Sequence, residues 1–189
     1  MFPKMNPRFA AYIAPAQNYP QIWRLFAGLI LAMGVYFGFI IAVYVLFSGP
    51  ASLTGPDSID GVLNPQGSPK QTAILFFTFV GMGLAVLVSA QVFQKRNPIT
   101  LFGPNAQVFR RHFLIAGSIA FVILVGTTAI SSVFYPPELN LAFFTWLSWL
   151  PLALILILLQ TGSEELVFRG YLQQQLAARF SSPWVWWVL

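Results

Sequence analysis

Four long stretches of this 189-residue sequence contain no charged residue, and they constrain the fold more than any other feature. They cover residues 25–47, 72–93, 113–134 and 141–160. About 20 consecutive apolar residues are enough for one helix to cross a hydrocarbon core roughly 30 Å thick. A helix satisfies its backbone hydrogen bonds within itself, as the membrane interior requires. The pattern therefore predicts an all-α integral membrane protein, built as a multi-span bundle of transmembrane helices.

The composition supports a membrane protein and excludes several other classes. Hydrophobic residues make up 57% of the chain and charged residues 8%, whereas a soluble domain carries about 25% charged residues. The net charge of +5 does not indicate nucleic-acid binding, because the basic residues fall between the apolar stretches rather than on one soluble face. The absence of cysteine excludes disulfides and thiolate metal sites.

The chain divides into three predicted regions. Residues 1–24 form a proline-punctuated N-terminal tail, for which we expect no regular structure beyond a short interfacial turn. Residues 25–140 hold three transmembrane helices and their loops, and residues 141–189 begin a further domain. The last residues, 182–189, look like the entry to another span that is too short to cross. We therefore expect a truncated chain that stops within a helix.

The loop between the first two spans contains Asp57 and Asp60, which could be read as calcium ligands. Their spacing does not match an EF-hand loop, and the surrounding Gly, Pro and Ser residues are typical of turns. We interpret them as solvated turn aspartates.

The basic residues lie almost entirely on one side of the predicted membrane. If each span crosses once, only Lys70 falls on the opposite side, and the other nine basic residues share a side. The nine are Lys4, Arg8, Arg24, Lys95, Arg96, Arg110, Arg111, Arg169 and Arg179. Because cytoplasmic loops carry the excess of Lys and Arg, the N-terminus and the segment after the fourth span are predicted to be cytoplasmic.

Two of the five acidic residues of the chain, Glu164 and Glu165, stand side by side directly after the fourth apolar stretch. On a helix, Glu165 and Arg169 are four residues apart and can pair. Glu164 is rotated by about 100° from its neighbour and has no cation of its own. A desolvated carboxylate without a cation suits a general base for water. Because apolar residues surround this helix on all sides, we expect it to be buried among other helices.

The depth of the motif depends on where the fourth helix begins. A start at Leu150 places Glu164 about 21 Å along the helix, inside the hydrocarbon core. A start at Leu141 places both glutamates at the inner interface. The residues alone also leave open a structural role, in which both glutamates pair with Arg169 and tie helices together. That role fits a non-catalytic membrane immunity or scaffold protein. A small transporter is less favoured, because the first three spans hold no internal charge.

The segment from Glu164 to Gly170 has the form EExxxR, with Phe168 before the arginine and a glycine after it. It resembles the CPBP family of intramembrane proteases, also called the CAAX protease and bacteriocin-processing or Abi family. The resemblance implies hydrolysis of a peptide bond in a membrane-anchored or prenylated substrate, in a bacterial inner membrane. It also implies that Glu164 activates the attacking water while Glu165 and Arg169 orient the site. The family is catalogued as metalloproteases, so zinc is a candidate cofactor and Glu164 a candidate ligand.

The family pattern also includes a Phe with a His four residues on, and a third motif that bears His with Asn or Asp. The sequence contains neither motif, and His112 is its only histidine. His112 opens the third span beside two arginines, so we interpret it as an interfacial anchor. One histidine cannot build a His₂Glu zinc site. We therefore expect this chain to be catalytically incomplete by itself, with Phe-x-x-x-His following Leu189.

Overall fold

A computed structural model describes residues 6–49, 69–103, 106–136, 138 and 141–187, in which every regular element is a helix. Asp57 and Asp60 lie outside the described residues. In chain order the elements are α1 (Pro7–Gln17), α2 (Ile22–Ser48), α3 (Pro69–Phe93), a 3₁₀ helix (Pro98–Phe102), α4 (Ala106–Phe134), α5 (Phe143–Glu165), a π-helix (Leu166–Gln173), α6 (Gln174–Arg179) and α7 (Pro183–Trp187). The all-α prediction is confirmed.

Four helical segments are long and apolar enough to cross a membrane: Ile22–Phe47, Pro69–Phe93, Arg111–Phe134 and Phe143–Arg179. They contain the first three uncharged stretches and residues 143–160 of the fourth, so the predicted integral membrane protein is confirmed. The fourth segment is 37 residues long, because the helix continues through the acidic motif instead of ending near it.

The chain forms two compact units, which we describe separately. The first comprises Met1–Gly103 and Ser148–Leu189, and the second Pro104–Leu147. In the second unit, the described apolar side chains of α4 are largely exposed, as suits a helix that faces lipid. Its hydroxyl groups bond to the helix's own backbone: Ser118 donates to the Leu114 carbonyl at 2.8 Å, and Thr127 to the Ile123 carbonyl at 2.9 Å. Such bonds satisfy a hydroxyl where no water is present.

Antiparallel packing of α2 against α3 builds the first unit. The Arg24 Nη1 atom donates to the Phe93 carbonyl at 2.5 Å, and the Ser89 hydroxyl donates to the Gly28 carbonyl at 2.8 Å. These contacts join the start of α2 to the end of α3. A Cβ atom added to Gly28 would lie 3.7 Å from Ser89 Cβ, so α2 and α3 are in van der Waals contact at this glycine.

The N-terminal tail differs from the prediction, because it contains the eleven-residue helix α1. The Asn6 side chain caps this helix by accepting the Arg8 N–H at 3.0 Å, and Pro7 occupies its first position. Ile13 and Ala16 are buried, and α1 packs against α6. The prolines that suggested irregular structure are therefore compatible with a helix that begins at one of them.

Candidate functional site

The backbone changes its hydrogen-bonding pattern within the acidic motif. Helix α5 ends at Glu165, and the eight residues Leu166–Gln173 form a π-helix before α-helical geometry returns in α6. π-Helical turns are rare and occur frequently at functional sites. Arg169 and Gly170 therefore lie on a wider helix than the two glutamates that precede them.

The two adjacent carboxylates have different partners. Glu165 Oε2 lies 3.0 Å from Arg169 Nε, so the predicted pair forms. Its side chains remain exposed, Glu165 by 51% and Arg169 by 66%. Glu164 is half-buried, and its Oε1 accepts a hydrogen bond from Gln160 Nε2 at 3.1 Å. One carboxylate is thus neutralised by a cation, while its neighbour contacts a neutral amide.

The expectation that the motif helix is buried on all sides is wrong. One face is buried and carries Leu166, Gly170, Tyr171, Gln174 and Gln175. The opposite face exposes Glu165, Phe168 and Arg169. The apolar residues around the helix reflect its passage through a membrane, where a lipid-facing side is as apolar as a packed one.

Three contacts of the buried face fix its level along α3. A Cβ atom added to Gly83 would lie 3.0 Å from Ser163 Oγ, which shows how closely α5 approaches α3. Further along, Tyr171 packs against Gly28 of α2, and Gln174 contacts Arg96, just after α3 ends. The motif helix and α3 therefore run in the same direction.

This register determines the depth of Glu164. Glu164 follows Ser163, and Ser163 lies beside Gly83 of α3. Gly83 precedes the end of α3 by ten residues, which is about 15 Å of helix. If α3 crosses the membrane along its length, Glu164 lies within the hydrocarbon core. Of the two depths that the sequence left open, the packing favours the deeper one.

A buried polar cluster supports the far end of the π-helix. The Arg96 Nη1 atom donates to Gln174 Oε1 at 2.6 Å, and Gln174 Nε2 donates to the Thr100 carbonyl at 3.2 Å. Arg96 is 7% exposed and Gln174 is fully buried. Burial lowers the pKa of Arg96 to about 10, so the guanidinium still carries its charge at neutral pH. Sequence reasoning treated Arg96 only as a loop cation and missed its contact with Gln174.

The N-terminal helix also reaches the motif. The hydroxyl of Tyr12 donates to the backbone carbonyl of Arg169 at 2.7 Å. Burial raises the pKa of Tyr12, so its hydroxyl keeps the proton that it donates. Sequence reasoning missed this contact as well, because 157 residues separate its two partners.

The described residues do not offer a ligand set for zinc. None of their His, Cys, Asp and Glu side chains form a group of three or more. Glu164 and Glu165 supply oxygen donors only, while His112 is exposed in α4 and belongs to the second unit. Zinc sites in proteins favour three or four ligands rich in nitrogen or sulfur, so these two carboxylates alone do not fit one.

Comparison with known proteins links the motif region to one family. Residues 145–189 match the model of the family described as "Type II CAAX prenyl endopeptidase Rce1-like". The chain is also 26% identical over 190 residues to the uncharacterized protein YyaK of Bacillus subtilis (strain 168), in a match that covers 92% of this chain. The match covers 59% of YyaK, so the chain spans about three fifths of that relative's length. No solved structure matches the chain.

Proposed function

We propose that the protein carrying this chain is an intramembrane endopeptidase of the CAAX protease family, also called CPBP, because residues 145–189 match that family's model. Its substrate would be a membrane-anchored or prenylated protein, cut at a peptide bond. The observation that carries the proposal is that the two adjacent carboxylates have different partners. Glu165 is bound by Arg169, whereas Glu164 is half-buried and its carboxylate contacts a neutral amide.

In the proposed reaction, Glu164 accepts a proton from a water molecule as that water attacks the carbonyl carbon of the scissile bond. A new C–O bond forms, and the carbonyl π electrons move to the oxygen. Collapse of this tetrahedral species breaks the C–N bond, and the proton held by Glu164 passes to the leaving amine. We give this role to Glu164 rather than Glu165, because the Glu165 carboxylate is already paired with Arg169.

Glu165 and Arg169 would orient the site. The contact through Nε restricts the rotation of the guanidinium, and an oriented cation can stabilise negative charge that develops on the substrate oxygen. Both side chains lie on the exposed face of the motif helix, where an extended peptide could approach them.

A zinc ion would polarise the substrate carbonyl or lower the pKa of bound water, with Glu164 as one ligand. Since the described residues do not complete such a ligand set, no step proposed here passes through a metal. We propose that the full activity requires histidines from outside these 189 residues, because the chain itself contains one histidine.

The alternative of a non-catalytic immunity or scaffold protein depends on a structural role for the ion pair. Glu165 and Arg169 lie on one continuous helical segment, so their pair does not tie two helices together. The geometry therefore favours the catalytic proposal.

We propose further that the motif and the N-terminus lie on the cytoplasmic side. Arg24 and Arg96 lie at the same end of the first unit as the π-helix, in keeping with the excess of basic residues expected there. These 189 residues contain no cysteine, so a cysteine at exposed Asn97 would be the single label site within them. We expect an impermeant maleimide to label it in inverted membrane vesicles but not in intact spheroplasts. Labelling in intact spheroplasts would contradict this orientation.

The catalytic proposal is tested by Glu164→Gln in the full protein, assayed on a prenylated reporter peptide in native membranes. Loss of a general base lowers a rate by about 10²–10⁴-fold, so we expect cleavage to fall by that factor at unchanged protein abundance. Glu138→Gln, the same change at an exposed glutamate outside the motif, is the matched control and should retain activity. Cleavage by Glu164→Gln at the wild-type rate would overturn the assignment.

A further inference from the structure

The hydrogen bond from Tyr12 ends on the backbone of the motif, at the carbonyl of the residue whose side chain binds Glu165. Its donor and acceptor oxygens are 2.7 Å apart, a short and well-formed contact. The acceptor lies inside the π-helix, because Arg169 is the fourth residue of the segment Leu166–Gln173. The bond therefore joins α1 directly to the segment in which the helix departs from α geometry.

The local backbone explains why a side-chain donor is useful at this point. In π geometry the carbonyl of Arg169 would accept from the amide five residues later, that of Gln174. The Gln174 N–H donates to the Tyr171 carbonyl, where the π-helix ends. A hydroxyl from another helix thus bonds to a carbonyl at the site where regular hydrogen bonding changes.

Contacts of α1 on both sides of Tyr12 hold this residue in place, so its hydroxyl can fix the position of the Arg169 carbonyl. Ile13 and Ala16 on α1 are buried, and the Phe9 ring stacks on Trp186 with centroids 4.6 Å apart. These contacts anchor the helix on both sides of Tyr12. Desolvation raises the pKa of Tyr12, so its hydroxyl remains protonated and able to donate to the Arg169 carbonyl.

We propose that Tyr12 is a positioning residue for the motif. Its hydroxyl holds the backbone of Arg169 in the π-helix, and this sets the direction from which the guanidinium meets Glu165. The N-terminal helix would then be part of the working site without touching substrate. The inference rests on the proposed function for its effect on rate, but its structural part can be tested without catalysis.

The test is Tyr12→Phe, which removes one oxygen atom and keeps the ring. In the full protein we expect kcat to fall by about three- to tenfold, the range that one neutral hydrogen bond supports, with KM unchanged. Amide hydrogen exchange should become faster over residues 165–175, while the thermal unfolding midpoint falls by no more than the few degrees that one lost hydrogen bond supports. Tyr19→Phe is the matched control in the same N-terminal segment. The ring at position 19 keeps its contact with Arg24, whose guanidinium lies 4.8 Å from the ring centroid. Neither kcat nor the rate of amide exchange over residues 165–175 should change in this control.

Wild-type kcat or wild-type exchange in Tyr12→Phe would overturn the inference. A fall in kcat that comes with a larger fall of the unfolding midpoint and faster exchange throughout the first unit would also overturn it, because it would show general destabilisation. The outcome is separable from that of the proposed function. If Glu164→Gln remains active, the proposed base is wrong, and the exchange comparison alone then decides whether Tyr12 holds the backbone of Arg169.

Discussion

The two faces of the motif helix differ in what their polar groups contact. On the buried face, Gln174 is fully enclosed and bonds to groups on other elements, Arg96 and the Thr100 carbonyl. On the exposed face, the side chains of Glu165 and Arg169 pair with each other within one helical segment. The buried face thus fixes the position of the helix, and the exposed face leaves charged groups available. A helix that has to present reactive groups at a defined place needs both.

The cost of each face supports this division. A half-exposed charge pair at the depth of a membrane is expensive to keep and adds little stability, so its presence calls for a function. A buried guanidinium is also expensive, but each hydrogen bond to it recovers part of the cost of its desolvation. We therefore expect substitutions on the buried face to change stability, and substitutions on the exposed face to change activity.

The largest effect on stability is expected from Gln174→Leu. The substitution leaves the charged Arg96 and the Thr100 carbonyl without their partner, and loss of a hydrogen bond to a buried charge costs about 1.5–3 kcal/mol. The free energy of unfolding, measured in detergent micelles, should fall by this amount. Gln91→Leu makes the same change at an exposed position of α3 and should stay within about 0.5 kcal/mol of wild type. Equal losses in the two variants would show that burial of Gln174 does not matter.

The parts of this structure that the sequence predicted depend on local or compositional signals. Uncharged stretches of sufficient length predicted the four spans, because the membrane requires apolar surface and internal backbone bonding. Spacing along one helix predicted the pairing of Glu165 with Arg169, since residues four apart lie on one face. Neither inference needs information about the rest of the chain.

The parts that were missed depend on contacts between distant residues. The π-helix accepts a hydrogen bond from Tyr12, which is 157 residues away from its acceptor Arg169. It also lies beside the buried contact of Gln174 with Arg96, two residues that are 78 positions apart. No local periodicity signals such a change of helix type. The prediction of full burial failed for a related reason, because apolar residues around a membrane helix do not distinguish a lipid-facing side from a packed one. Helix α1 was not predicted, because the prolines of the N-terminal tail suggested irregular structure, whereas Pro7 begins that helix.

The smallest effect on stability is expected from exchanging the exposed pair, in the double variant Glu165→Arg with Arg169→Glu. The reversed pair keeps opposite charges four residues apart, in the less favourable order, so the free energy of unfolding should change by no more than about 0.5 kcal/mol. A scaffold that needs only the pair would keep its function. A protease would lose it, because the cation no longer lies where charge develops, and we expect cleavage to fall by at least about 10²-fold. The single variants Glu165→Arg and Arg169→Glu place like charges four residues apart. They separate the effect of losing the ion pair from the effect of moving the cation. Wild-type cleavage by the exchanged protein would return the pair to a structural role and leave Glu164 as the sole candidate on this helix for the chemistry.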